Sequence, residues 1–467
     1  MAEEELCFGV EEGVNVDECE GSYERMGRPV YSVKLFDKEV VVISSHKIML
    51  ETLAKKNSGI DVAGRPNDFI TWDIATYGYK DIGFADYTHK LKTHRRIATK
   101  SLKVIGEQEW TTIISNEITQ LLDRFKQKDD KAFDPHADLV MVSFNTLCKL
   151  IISKTYQFDD PEFQRFLEWN ETMFTEIAGN PADFARWLSP LVYSRLTNLR
   201  RISELRYQFM KKKLTYIIQS FDKSKKIRNM IDQIILERER LENKANPDMT
   251  AEDVYSEDHI IQLTMDLVCV GSETVVALIK WFMIQVMHNP DIQTKIHSEL
   301  DKVVGRDGMV MYNDREKMPY LDAAIWETLR YPSITPLSVP HRAIRNTSIA
   351  GYDIPMDTLV MVNDYAIGCD PDVFDEPFKF KPERFIDCES GCLIPYSKMN
   401  FAPFGKGPRS CLGEKLAQIE SFVVIGNIMN QFEVHIPEGS AKPPLIGVLG
   451  LSHNPEHFRV TLKARKS

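Results

Sequence analysis

The sequence predicts a mainly α-helical protein with small β-sheets, an α+β chain in which helices dominate. Helical patterns follow one another from about residue 105 to residue 303, with turn-forming breaks at 159–161, 179–181 and 246–248. Residues 258–288 keep apolar side chains at helical spacing, which predicts one long helix. Residues 29–35 and 39–44 have the apolar pattern of a β-hairpin.

The composition is that of an ordinary soluble globular protein. The 467 residues are 43% hydrophobic and 27% charged, and the formal net charge of −10 argues against a general nucleic-acid binder. Eight cysteines are scattered without the spacing of a metal site, which favours a reducing compartment. The acidic segment 1–21 has no long apolar run, so we predict no signal peptide, no membrane anchor and no membrane-spanning segment.

Cys411 lies in the most informative stretch of the chain, residues 404–413. Glycines in this stretch permit tight backbone bends or the close approach of a flat ligand. Helical spacing begins after Gly413, so Cys411 is predicted at a loop-to-helix junction, where backbone N–H groups favour a thiolate. Such a thiolate suits an axial iron ligand. For an isolated cysteine, a free thiol in a glycine-rich loop is the alternative.

This stretch resembles the cysteine signature of the cytochrome P450 family, Phe-x-x-Gly-x-Arg-x-Cys-x-Gly. All five positions match, as Phe404, Gly407, Arg409, Cys411 and Gly413. The resemblance extends over residues 22–464 and implies the cytochrome P450 fold: a single large triangular haem domain over 22–467 with a long central helix over the haem. It also implies haem b (iron protoporphyrin IX) as the cofactor. Cys411 is then the metal ligand, and Phe404, Arg409 and Gly413 are cofactor-binding residues.

Two further cofactor contacts follow from the resemblance. In a basic helical segment that starts at Lys90, Arg95 matches an arginine that binds a haem propionate, whereas Leu91 replaces the family's tryptophan. His341 stands where the family supplies another propionate-binding residue. The lysines of the segment suit docking of an acidic electron-transfer partner, and plain solvation of a charged helix face is an equal alternative.

The long helix has a polar middle, Gly271-Ser272-Glu273-Thr274, and polar groups inside an apolar helix need partners or a function. A threonine bonded back to the carbonyl four residues earlier is the structural alternative. The stretch resembles a family motif in which Thr274 and Glu273 are catalytic, Thr274 by hydrogen-bonding dioxygen and Glu273 by relaying protons. In the same motif Gly271 widens the helix groove, and Val270 replaces the usual alanine.

A second motif is structural. Glu327 and Arg330 lie one helical turn apart and resemble the family's Glu-x-x-Arg pair. Arg384 follows in a matching Pro-Glu-Arg-Phe stretch. The resemblance implies that these three residues form a buried lock behind the cysteine loop.

Taken together, the resemblance implies a haem-thiolate monooxygenase that inserts one oxygen atom of dioxygen into a small lipophilic substrate, a steroid or a xenobiotic or other lipid. NADPH is used indirectly, through an NADPH-dependent flavoprotein reductase, with cytochrome b5 as a further partner. Short stretches such as residues 63–66 look most like steroid 17-alpha-hydroxylase/17,20-lyases and their drug-metabolising relatives. The alternatives are a reductase-independent isomerase or dehydratase of lipid hydroperoxides and a non-enzymatic haem or lipid carrier.

The pocket walls and the location of the protein are also expectations. Residues 67–88 are interpreted as an aromatic loop, for which pocket lining and core filling weigh equally. The other expected wall segments are 180–193, 262–274, 333–339 and 446–452. The resemblance implies peripheral association with the cytosolic face of the endoplasmic reticulum membrane. If the sequence is complete, its lack of an anchor implies a soluble cytoplasmic protein instead.

Overall fold

The computed structural model describes residues 28–177, 179–243 and 255–465. The acidic segment 1–21 lies outside these residues. The predicted architecture, mainly helical with small sheets, is confirmed. The described residues contain the following α-helices: α1 (His46–Leu53), α2 (Ser58–Asp61), α3 (Ile70–Ala75), α4 (His89–Ile105), α5 (Glu107–Lys126), α6 (His136–Ile152), α7 (Pro161–Ile177), α8 (Pro181–Phe184), α9 (Tyr193–Gln219), α10 (Met230–Asn243), α11 (Glu257–His288), α12 (Pro290–Val303), α13 (Pro319–Arg330), α14 (Asp364–Gly368) and α15 (Glu414–Gln431).

Within the described residues, the strands form one four-stranded sheet and three two-stranded sheets. The predicted hairpin is present as an antiparallel pair, and its second strand is buried because it also pairs in parallel with a later strand of the larger sheet. The order in that sheet is β1-β2-β6-β3. The strands are β1 (Val30–Leu35), β2 (Lys38–Ile43), β3 (His341–Arg342), β4 (Thr347–Ile349), β5 (Tyr352–Ile354), β6 (Leu359–Val362), β7 (Phe432–His435), β8 (Gly447–Leu449), β9 (His453–Pro455) and β10 (Thr461–Ala464).

Helix α11 runs through the middle of the protein. Its 32 residues span about 48 Å. Ser256 caps its first turn by accepting a hydrogen bond from the backbone N–H of His259, and Pro290 follows its end. The helix is long and apolar enough to cross a membrane, the one such helix among the described residues, although the sequence led us to expect no such segment. Because 72% of the most apolar part of this helix is buried inside the fold, it is a core helix.

The segment 67–88 is not the simple loop that we expected. It contains α3, and several of its aromatic side chains fill the interior: Phe69 and Trp72 are each 3% exposed, and Trp72 stacks on Phe84 at 4.2 Å between ring centroids. Asp183 of α8 accepts hydrogen bonds from the backbone N–H and the hydroxyl of Thr71, at 2.9 and 2.5 Å. Segments 67–88 and 180–193 are therefore joined directly.

One hydrophobic cluster includes buried residues from Val41 near the start of the described chain to Leu462 near its end. The prediction of a single domain over 22–467 is consistent with this cluster and stays a prediction.

Candidate active site

The loop that carries Cys411 is shaped by glycines. Gly405 and Gly407 have φ angles of 65° and 74°, in the left-handed region that side chains disfavour. A Cβ on Gly407 would also lie 1.9 Å from the backbone oxygen of Leu53, so no larger residue fits there. The backbone N–H of Cys411 donates to the carbonyl of Phe404 at 2.8 Å, which closes the loop. Helix α15 begins directly after Gly413.

The surroundings of the Cys411 sulfur suit an anionic ligand. The backbone N–H groups of Gly413 and Glu414 hydrogen-bond to the sulfur and lower the pKa of the thiol, as does the positive charge of Arg95. Burial is the largest influence, and it raises the pKa overall. The side chain is nevertheless accessible. A group that is accessible yet desolvated faces an internal space, and a metal ion bound there would deprotonate the thiol.

Three arginines and His341 converge beside the cysteine loop. Arg95 donates to the carbonyl of Ser410 at 2.6 Å through Nη2. Arg409 donates to the carbonyls of residues 63 and 85 at 2.7 and 2.6 Å, and its buried Nη1 has no hydrogen-bond partner among the described residues. Arg65 donates to the carbonyls of residues 339 and 340, both at 2.8 Å. These four residues are called the cationic cluster below.

The members of the cationic cluster repel one another. Burial, followed by the charges of Arg409 and Arg95, holds the pKa of Arg65 well below its usual range. Burial, followed by the charge of Arg95, lowers the pKa of Arg409 to about 10. Repulsion among buried cations is relieved by an anionic ligand, and the two propionates of haem are suitable anions. The free Nη1 of Arg409 and the Cys411 sulfur therefore fit a haem group.

His341 lies in β3, and its Nδ1 is 2.9 Å from the carbonyl oxygen of Val62. Because a carbonyl only accepts, Nδ1 carries the proton. Burial and the charges of Arg65 and Arg409 hold the pKa of His341 well below its usual range, so the ring is neutral when no anion is bound beside it. A propionate at Nε2 would reverse that balance by favouring the imidazolium.

Helix α11 presents an accessible stripe between residues 266 and 274, a stretch in which Leu267, Gly271 and Glu273 are also partly exposed. Asp266, Val270 and Thr274 are four residues apart and lie on one face; Val270 is 38% exposed, whereas Val268 and Cys269 are 1% and 3% exposed. The hydroxyl of Thr274 donates to the carbonyl of Val270 at 3.1 Å, the bond named above as the structural alternative. This bond occupies the donor, and the oxygen of the hydroxyl can still accept a hydrogen bond.

Gly271 has a packing role in this structure. A Cβ at this position would lie 3.1 Å from Cδ1 of Leu147 on α6, so the glycine permits the close contact of α11 with α6. The expectation that Gly271 widens a groove for dioxygen stays a prediction.

Glu273 is turned away from the stripe toward a polar network. Its Oε1 accepts from the side-chain amide of Asn454 at 2.8 Å, and its Oε2 accepts from that of Asn170 at 3.3 Å. Burial raises the pKa of Glu273, opposed most strongly by the charge of Lys280, two turns further along α11. The structure thus brings Thr274 and Glu273 to the same turn of the helix but on different faces.

Comparison with known proteins identifies the family. A model of the cytochrome P450 family matches residues 12–462. The chain belongs to the cytochrome P450 family. It is 32% identical over 440 residues to a steroid 17-alpha-hydroxylase/17,20 lyase of Ictalurus punctatus, covering 93% of this chain and 84% of that protein. The human protein of the same name is 30% identical over 443 residues, covering 94% of this chain and 86% of the relative.

A solved structure agrees with this assignment. A zebrafish cytochrome P450 with progesterone matches with a TM-score of 0.84 and 29% identity, over 97% of this chain and 100% of that chain. The prediction of a cytochrome P450 fold is confirmed. This P450 is a haem-thiolate monooxygenase: haem is its cofactor, and it acts on a lipophilic substrate with dioxygen.

The structural lock is present in this P450. The Arg330 side chain donates to both carboxylate oxygens of Glu327 at 2.7 Å, and neither side chain is accessible. Arg384 joins through Nε at 3.1 Å. Trp326, next to Glu327 on α13, contacts Phe404 of the cysteine loop with ring centroids 6.2 Å apart. The lock therefore connects to the cysteine loop through this aromatic contact, and its role stays a prediction.

The sequence did not reveal several residues that the structure places at the site. In the sequence, Arg65 was notable only as part of residues 63–66, which resemble the steroid 17-alpha-hydroxylase/17,20-lyases. Its place in the cationic cluster was not predicted. Asn170 and Asn454 had no recognisable signal, because they lie on other elements of the structure. A buried lysine seven residues after Glu273 was the one hint available.

Proposed function

We propose that this P450 oxygenates a steroid or a lipophilic molecule of similar shape. The proposal rests mainly on the accessible stripe of α11, together with the Cys411 loop and the cationic cluster. Relatives named steroid 17-alpha-hydroxylase/17,20 lyase and a zebrafish P450 solved with progesterone support the choice of substrate class. Bound haem supplies the activation of dioxygen and the transfer of one oxygen atom to the substrate.

The chain's own residues orient the cofactor and supply protons. Cys411 ligates the iron, while Arg65, Arg95, Arg409 and His341 hold the propionates. Phe404 and Gly413 shape the loop around the sulfur. Together these residues would hold the cofactor at the cysteine loop.

Protons reach the stripe from the buried polar network. Glu273 holds a proton readily because burial raises its pKa, and its neighbour Thr274 presents a hydroxyl on the stripe. The Thr274 hydroxyl would have to turn from the carbonyl of Val270 to donate its proton toward the dioxygen-binding position, and Glu273 would then replace that proton. Asn170 and Asn454 keep the carboxyl of Glu273 in place.

An exposed basic face suits an acidic electron-transfer partner. Arg95 points inward from α4, whereas Lys92, Arg96 and Lys103 of the same helix are exposed. Because Arg95 contacts the cysteine loop, this face lies on the Cys411 side. A flavoprotein reductase that draws electrons from NADPH is the partner we propose here, and cytochrome b5 is a second candidate for the same face.

An exposed apolar surface supports peripheral membrane association. Trp187, Leu191 and Tyr193 are 66%, 80% and 67% exposed, and Phe36 in the β1–β2 turn is 53% exposed. Trp187 donates to Asp37 at 3.1 Å, so the turn and the segment after α8 form one surface. We propose that this surface contacts the cytosolic face of the endoplasmic reticulum membrane.

The test combines a spectrum with turnover. Purified protein, reduced and exposed to carbon monoxide, should show the strongly red-shifted Soret band of thiolate ligation. Cys411→Ala should lose that band, whereas Cys392→Ala, an exposed cysteine elsewhere, should keep it. With reductase and NADPH, a steroid panel should give hydroxylated products. A normal band in Cys411→Ala would refute the ligand assignment, and NADPH-independent turnover of lipid hydroperoxides would refute the monooxygenase proposal.

A further inference from the structure

Lys280 is a buried cation in the apolar second half of α11. It is 5% exposed, and its ammonium group makes no hydrogen bond or ion pair within the described residues. Burial lowers the pKa of Lys280, and the charges of Glu273, Asp134 and Glu171 oppose that effect, in this order. Lys280 lies two helical turns after Glu273 on the same face of α11. Because long side chains on a helix lean toward its N-terminus, the ammonium group lies on the Glu273 side.

His457 brings this group of titratable side chains to the protein surface. Its side chain is 71% exposed; its Nδ1 is 3.1 Å from Oδ2 of Asp134, and its Nε2 is 3.9 Å from Oε1 of Glu171. Glu171 and His457 lie one and three residues after the two asparagines whose amides hold Glu273. The chain segments that bind Glu273 inside the protein therefore also carry titratable groups at its surface.

His136, the first residue of α6, is near both His457 and Lys280. The rings of the two histidines are 6.0 Å apart between centroids. Burial, followed by the charge of Lys280, lowers the pKa of His136 to about 4. Its Nδ1 is buried and has no hydrogen-bond partner in the described structure. Unpaired buried polar groups favour an internal water molecule, so these side chains suit a hydrated path between the surface and Glu273.

Burial brings the proton affinities of Glu273 and Lys280 closer together. In water, a lysine has a pKa about six units above that of a glutamate. Inside this protein, burial raises the pKa of Glu273 and lowers that of Lys280, so the difference is smaller. Transfer of a proton from Lys280 to the Glu273 carboxylate therefore requires less free energy than it would in water.

We propose that protons from the solvent reach Glu273 by way of His457, a hydrated path lined by His136, and Lys280. When Glu273 has given up its proton, the Lys280 ammonium transfers one to the carboxylate through a bridging water and becomes a neutral amine. The amine regains a proton from the His457 imidazolium along the same path, and His457 takes one from the solvent, so one proton enters for each proton delivered. His136 stays neutral and orients water. This inference rests on the proposed role of Glu273 in proton delivery and names the entrance of the path.

Two substitutions separate the transferable proton of Lys280 from its charge. Lys280→Arg keeps the positive charge, but a guanidinium does not release its proton in proteins. In full-length haem-loaded protein with reductase and NADPH, Lys280→Met and Lys280→Arg should both lower kcat for progesterone about tenfold, with KM unchanged. Lys302→Met, which replaces an exposed lysine on α12, is the matched control and should keep the wild-type kcat. Wild-type turnover in Lys280→Arg would show that Lys280 acts through its charge alone, and would overturn the inference.

Infrared spectroscopy tests the contact between Lys280 and Glu273 without turnover. The carboxyl band that is absent from Glu273→Gln reports the protonated form of Glu273 in the haem-loaded protein. The positive charge of Lys280 opposes the raised pKa of Glu273. The band should therefore persist to a pH about one unit higher in Lys280→Met, and it should keep its wild-type pH range in Lys280→Arg. A band with the same pH range in all three proteins would show that the two groups do not interact, and would overturn the inference.

His457→Gln tests the entrance of the path. Because His457 is exposed, its replacement should leave the fold intact, and progesterone turnover should fall several-fold in dilute buffer. A high concentration of phosphate, a diffusible proton donor, should restore the rate. Wild-type turnover of His457→Gln in dilute buffer would overturn the proposed entrance. Slow turnover by Glu273→Gln beside unaffected Lys280 and His457 variants would overturn this inference alone, whereas wild-type turnover by Glu273→Gln would also overturn the proposed role of Glu273.

Discussion

Removal of the Glu327 carboxylate should prevent stable haem incorporation. Glu327 is 0% exposed and accepts from Arg330, from Arg384 and from the backbone N–H of Lys381. Glu327→Ala would leave the buried Arg330 guanidinium without its anionic partner. The backbone N–H of Lys381 would also lose its acceptor.

The expected loss in free energy of unfolding for Glu327→Ala follows from these contacts. Breaking a buried ion pair by removing one partner costs about 3–5 kcal/mol, and an unsatisfied buried N–H costs about 1–3 kcal/mol more. Net stabilities of proteins are about 5–15 kcal/mol, so this loss is a large part of the total. Glu327→Gln, which keeps one oxygen acceptor but removes the charge, should be intermediate.

The assay measures the haem-to-protein ratio, the thermal midpoint of unfolding and the carbon monoxide spectrum. Glu383→Ala is the matched control, since Glu383 lies next to Arg384 but pairs with Lys295 on the surface, where an ion pair is worth about 1 kcal/mol or less. The control should keep its haem and its spectrum. A Glu327→Ala protein with full haem content and an unchanged midpoint would refute the view that this network holds the cysteine loop.

Three further predictions concern other parts of the structure. Burial raises the pKa of Glu420 from 4.5 to about 7, so the folded protein binds a proton that the unfolded chain releases, and stability falls as pH rises from 4.5 to 7. Glu420→Gln should therefore raise the free energy of unfolding at pH 8 by up to about 3 kcal/mol, seen as a higher thermal midpoint, and should change the midpoint little at pH 4.5. An equal rise of the midpoint at both pH values would contradict this. Arg65→Gln should accelerate haem transfer to apomyoglobin several-fold, as expected for a lost propionate contact. An unchanged rate would show that Arg65 does not help to hold the haem. Trp187→Ser should reduce co-flotation with phosphatidylcholine–phosphatidylserine vesicles, whereas Tyr352→Ser, exposed elsewhere, should not.

The cytochrome P450 fold and its cysteine loop could be predicted because their signals are local. The ten residues 404–413 combine glycines with positive φ, a cysteine and the start of a helix, and each of these features is visible in consecutive residues. The Glu327–Arg330 pair is likewise one helical turn. The long helix was predicted with one residue of error at its start, since its apolar spacing continues for nearly its whole length.

The segment 67–88 shows where local signals fail. Its aromatic residues were as compatible with a pocket as with a core, and Ile70–Ala75 had too few residues for a helical pattern to emerge. The contact between Thr71 and Asp183 decided its position, because a buried carboxylate must be hydrogen-bonded wherever its partners lie in the chain.

The sequence by itself determined the class of fold, the cysteine loop that we propose ligates the iron, and the positions of Thr274 and Glu273 on one helix. Only the tertiary structure showed that Arg65 joins Arg409 and His341 beside the cysteine loop, that Asn170 and Asn454 hold Glu273, and that Asp81 lies beside Asp266. The reason is physical. Helical and strand periodicities report which face of an element is buried, whereas charge repulsion, desolvation and hydrogen bonding act between groups that meet only after distant segments have packed together.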